Sequence, residues 1–134
     1  MGYGFMLHGW AKLSRGLANF EKLLVQLGVP LHHAASWVVP FVELLGGFAI
    51  LIGAFATLAA IPLIAVMLTA MFTVHLKYGF SSIKTIGLGL DGPLFGPPGY
   101  EVALLYIAGL IAIILGGAGM LSVDSLLRKK VAAS

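Results

Sequence analysis

The chain reads as an all-α, integral membrane four-helix bundle with a shortened first helix and an amphipathic interfacial helix between helices one and two. Three observations lead there. Of 134 residues, 60% are hydrophobic and only 10% charged, whereas a soluble domain carries roughly 25% charged residues and needs them to cover its surface. Mean hydropathy is +1.04. Three apolar runs, 34–53, 55–76 and 100–119, are each long enough at about 1.5 Å per residue to cross a hydrocarbon core of about 30 Å.

Taken in order, residues 1–13 are apolar and helix-compatible but too short to span. They read either as a re-entrant segment or as the end of a first helix whose start lies upstream, and the second reading is preferred. Neither a basic leader nor a small-residue cleavage site precedes the next polar stretch, so a signal peptide is not expected. In the stretch 17–28, Asn19, Lys22 and Gln26 share one helical face and Leu17, Phe20, Leu24 and Leu27 the other, with Gly28 and Pro30 as a stop. An interfacial helix is predicted there.

Helices two and three carry Pro40 and Pro62, which a membrane helix tolerates where neighbours re-satisfy the freed carbonyl. Only Gly53 and Ala54 separate them, so a tight hairpin is predicted, with Gly53 allowing the turn. Residues 77–99 are rich in Gly and Pro and read as an ordered loop lying over the bundle end. Helix four follows over 100–119, and the whole chain reads as one domain. Small residues mark expected close helix contacts: Gly46 and Gly47 on helix two, and Ala108, Ala112 and Gly116 at every fourth position of helix four.

The chain has no cysteine, which removes disulfides, thiolate metal sites, iron–sulfur clusters and thiol exchange. The net charge of +3 is small and the basic residues flank the apolar runs. Anionic lipid headgroups, not nucleic acid, are the partner this pattern suits. Orientation is balanced: Lys12, Arg15, Lys22, Lys77 and Lys84 lie toward one side, and the Arg128-Lys129-Lys130 run on the other side favours a cytoplasmic C-terminus.

Glu43 is the residue most in need of a reason. It lies within an apolar run that contains no basic residue, and a carboxylate at that depth asks for a partner, a proton or a purpose. Up-down connectivity brings His8, Lys12, His75 and Glu101 toward the same end of the bundle, beneath both long connections. These five form the candidate polar pocket. Each also has a packing explanation. His8 and His75 would hydrogen-bond backbone, Glu101 would serve a helix N-terminus, and Glu43 would be protonated or salt-bridged to Lys12 or Lys77.

A His/Glu pocket open to a lipophilic ring fits a quinone, because imidazole and carboxyl can exchange protons with such a carrier. Haem held by His8 and His75 is disfavoured, and no cofactor is assigned. No metal site is expected: Glu-x-x-His pairs are absent, and the side chains of adjacent His32 and His33 diverge on a helix. Met67, Met71 and His75 share a helical stripe that reads as packing.

With these residues in view, the chain resembles the DoxX family. The matching features are His8-Gly9-x-x-Lys12, Leu27-Gly28-Val29-Pro30, Glu43-Leu-Leu-Gly-Gly47, Leu51-Ile-Gly53 and Gly117-Ala-Gly119-x-x-Ser122-x-Asp124. The resemblance implies a multi-pass four-helix protein of the bacterial or archaeal cytoplasmic membrane. It also implies an association with membrane redox complexes, since the family takes its name from a subunit linked to a terminal quinol oxidase and a thiosulfate:quinone oxidoreductase. It brings no established catalytic residues. The expected role is therefore an accessory or quinone-proximal subunit of a respiratory or redox complex, not an enzyme alone. The alternatives are a free-standing binder or carrier of a small lipophile, and a structural or assembly subunit.

Overall fold

Glycine and the loss of apolar periodicity set the ends of the helices. In the computed structural model, which describes residues 1–120 and 122–132, α1 runs Gly2–Ser14 and α2 runs Leu17–Gln26. At the C-terminus of α2, Gly28 takes φ 69, its N–H bonds the Val25 carbonyl, and the Val29 N–H bonds that of Leu24. These two bonds satisfy carbonyls the helix would otherwise leave open, and Leu24 and Val29, the residues at either end of the motif, are both buried. Leu31, at φ 54, then turns the chain into α3, His32–Ile52.

The predicted hairpin between helices two and three forms around Gly53, at φ 67, and Phe55, at φ 49. Helix α4 begins at Ala56 and runs to Ala70. It continues as a π-turn, Met71–His75, and a 3-10 turn, Leu76–Tyr78, giving a helical segment of 23 residues. This segment and α3 are long and apolar enough to cross a membrane; α5, Glu101–Gly116, is apolar but shorter. Gly117, at φ 75, ends α5 before the predicted limit of 119.

Two elements depart from the sequence reading. The loop 77–99 contains an antiparallel hairpin, β1 Thr85–Gly89 and β2 Gly92–Phe95, so the fold is mostly helical and not purely α. Asp91-Gly92 is a recognised hairpin turn pair by sequence, yet the turn that forms is Leu90-Asp91, between the paired Gly89 and Gly92, and the glycines at 87 and 89 hide the alternation that would mark a strand. A last helix, α6 over Val123–Ala132, also goes beyond the four bundle helices and one interfacial helix expected.

Helix α1 packs along α3, α3 along α4, and α4 along α5, while α2 lies against α3. An edge-to-face contact of Phe5 with Tyr106, ring centres 5.0 Å apart, joins α1 to α5. Phe5, Ala60, Leu63 and Leu110 form the core where these helices meet. The outward faces are equally apolar. Trp37, Phe41, Leu45 and Phe48 on α3, Leu58 and Ile61 on α4 and Phe72 on the π-turn that follows are exposed, which is the surface a lipid solvent accepts and water does not.

Candidate functional site

Glycine brings the first two polar residues together. A Cβ built on Gly9 would stand 2.6 Å from the Pro40 carbonyl oxygen and 3.2 Å from Glu43 Cβ. One built on Gly47 would stand 2.6 Å from the Gly2 carbonyl oxygen and 2.8 Å from Phe5 Cβ. The backbones of α1 and α3 therefore approach as closely as only small residues allow. At this contact Lys12, one turn after Gly9, reaches Glu43: Nζ donates to Oε2 at 2.5 Å. Glu43 is 4% exposed, so a cation alongside it is the electrostatic condition for keeping the carboxylate there. Lys12 Nζ also lies 5.5 Å from the centre of the Phe20 ring, tying α2 to the pair through a cation–π contact.

The pair borders a cavity of about 570 Å³ between α2, α3 and α4. Its walls are apolar: Phe20, Leu24 and Leu27 from α2, Val39 from α3, and Val66 and Ala70 from α4. Thr69 and Thr73 also line it, but their hydroxyls donate to the carbonyls of Ala65 and Thr69, at 2.9 and 2.8 Å. The π-turn beginning at Met71 brings Thr73 and Val74 to the same wall; π-turns recur at functional sites. Size and lining match those of small-molecule sites, which are mostly apolar with a few placed polar groups.

Of the five pocket residues expected from sequence, only Lys12 and Glu43 line this cavity. The other three lie elsewhere, each for a physical reason. His75 Nδ1 bonds the Pro98 carbonyl at 3.0 Å, a contact that requires the proton on Nδ1. Glu101 accepts from the Ser82 N–H at 3.0 Å, and Ser82 Oγ accepts from the Val102 N–H at 3.2 Å. These bonds fasten the β1–β2 loop to the ends of α4 and α5. His8 is exposed on α1 and makes no side-chain hydrogen bond among the described residues. No group of three His, Asp or Glu suited to a metal ion occurs among the described residues.

The small residues divide as well. Gly46 faces the Leu63 side chain, where a Cβ would stand 3.1 Å from Cγ, and Gly47 packs on α1 as above. Ala108, Ala112 and Gly116 lie on the exposed face of α5, and a Cβ on Gly116 would meet nothing within 4 Å. That corrects the expected contact: the buried face of α5 is Ala103, Ile107 and Leu110, of which Leu110 reaches the core.

Sequence reasoning missed one working residue. Asp124, quoted only as part of a motif, accepts from the Phe55 and Ala56 N–H groups at 2.8 and 3.2 Å, while its own N–H bonds the Gly53 carbonyl. It caps α4 from across the chain. The Ser-x-Asp pattern before a charged helical run signals the start of α6, where Ser122 Oγ accepts from the Ser125 N–H; no local signal in the sequence points Asp124 at α4.

Compared with models of known families, residues 1–76 match DoxX. Neither a curated protein nor a solved structure matches the chain.

Proposed function

The chain belongs to the DoxX family, and on that premise we propose that it is a four-helix, multi-pass protein of the cytoplasmic membrane that binds a small lipophile of the quinone class, serving as the quinone-proximal subunit of a membrane redox complex. In this reading α1, α3, α4 and α5 enter or cross the bilayer, while α2 lies in the interface over the cavity. The protein positions the lipophile and leaves electron transfer to partner subunits.

The observation that carries the proposal is the Lys12–Glu43 pair at an otherwise apolar cavity. A ring and tail would lie against Leu24, Leu27 and Val66, and a polar head would meet the pair. A charge pair among helices embedded in a bilayer is costly, and such residues commonly mark a pathway or binding site.

A second reading, a structural or assembly subunit, is favoured by the mutual satisfaction of Lys12 and Glu43. One experiment separates the two. Replacing both residues by apolar ones, Lys12→Met with Glu43→Leu, removes the pair without leaving a lone buried charge, and such replacements are often neutral or stabilising. The double variant is expected to fold and reach the membrane but to lose the lipophile that the parent protein retains in native mass spectrometry. Undiminished retention would show that the pair only holds the helices together.

A further inference from the structure

The hydrogen-bonding inventory of the cavity is lopsided. Glu43 Oε2 accepts from Lys12, and among the described residues nothing donates to Oε1. Every fully enclosed side-chain N or O atom among the described residues has a partner, so Oε1 is not sealed away; the cavity is the surface that Glu43 lines. Lys12 has three N–H donors and spends one on Glu43. The hydroxyl protons of Thr69 and Thr73 are committed to backbone carbonyls. Among the described residues Lys12 is thus the side-chain donor facing this space, and the Glu43 carboxylate beside it offers Oε1 as an acceptor.

We propose that the cavity selects a neutral ring lipophile bearing a hydroxyl, a phenol or hydroquinone, over the carbonyl-only oxidised form of the same ring. The inference rests on reading the cavity as the lipophile site. A hydroxyl can donate to Oε1 while its oxygen accepts from Lys12 Nζ, and the two groups are near enough for one oxygen to serve both. A quinone carbonyl can only accept. It satisfies Lys12 but turns a desolvated carboxylate oxygen toward a ring that gives it nothing, and an acceptor left unpaired in an apolar site carries its full desolvation cost. Charge restricts the ligand further. The pair is neutral as a unit, so an anionic head would meet Glu43 repulsively at low dielectric, and a neutral one adds no charge.

The test compares three probes under anaerobic conditions on the full chain in lipid nanodiscs: a decyl-tailed hydroquinone, the matching quinone and the hydroquinone dimethyl ether. Saturable binding is read by titration calorimetry. The hydroquinone is expected to bind roughly tenfold more tightly than either other probe, the cost of about one unpaired buried acceptor. In Lys12→Met/Glu43→Gln the amide offers both donor and acceptor without charge, and the preference should shrink to about twofold or less. Equal binding of all three probes to the parent protein would overturn the selectivity and leave the lipophile site standing. No saturable binding of any probe would overturn both. A preference that persists in a folded variant would show that Glu43 does not set it.

Discussion

At the scale of single residues, α1 and α3 are held together by what is missing. Gly9 and Gly47 present no side chain where the two backbones meet, and Lys12 and Glu43 meet because that contact is close. Gly9→Val should therefore destabilise by about 1–3 kcal/mol or more, the usual cost of overpacking, and push Lys12 away from Glu43. Gly116→Val should stay within about 0.5 kcal/mol, since its Cβ meets open space. Thermal unfolding of both variants in the same detergent checks the pair, and equal shifts would contradict the close-approach account. Glu43 was legible in the sequence because a carboxylate stands out in an apolar run. Its partner was not: Lys12 and Lys77 were equal candidates, and only the packing of α1 decides. Lys77 instead lies over the Tyr78 ring, 5.1 Å from its centre.

Among elements, the turn between α3 and α4 is held by a residue from the far end of the chain. Phe55 starts α4 in the left-handed region, where a bulky residue is disfavoured. The Asp124 carboxylate compensates by accepting two N–H groups of that first turn. The favourable interaction of a carboxylate with a helix N-terminus adds to this. Asp124→Ala should lower stability by about 1–2 kcal/mol, the upper range for loss of a cap, and Asp124→Asn by less because one acceptor remains. Amide exchange at Phe55 and Ala56 should quicken in both; unchanged exchange would remove Asp124 from this role. The β1–β2 hairpin and α6 were legible only in part. Ser122-x-Asp124 is an ordinary start signal and Asp91-Gly92 a turn signal one residue away from the turn that forms, while Gly-rich strands lack alternation and a polar tail lacks an apolar face to fix its length.

For the whole molecule, connectivity divides the ends of the helices into two sets. The α1–α2–α3 and α4–hairpin–α5 connections share one end, and the α3–α4 turn shares the other with α6, through Asp124 and Gly53. A chain without cysteine makes this easy to test. Single substitutions Asn19→Cys and Asp91→Cys should react with an impermeant thiol reagent from one face of sealed vesicles, and Lys129→Cys from the opposite face. Reaction of all three from one face would exclude the proposed crossings.

Composition and run length by themselves determined the solvent of this protein, because too few charges exist to clothe a water-soluble surface. Periodicity and glycine placement determined α2, its stop at Gly28 and the turn at Gly53, since these depend on residues close in the chain. Which polar groups share a site was decided only by the tertiary structure. Connectivity alone put His8, Lys12, Glu43, His75 and Glu101 at one end, but a helix end is wider than a hydrogen bond. His75 and Glu101 went to the loop whose unpaired backbone groups lay nearest, His8 faces outward, and the α1–α3 contact left Lys12 and Glu43 together at the cavity.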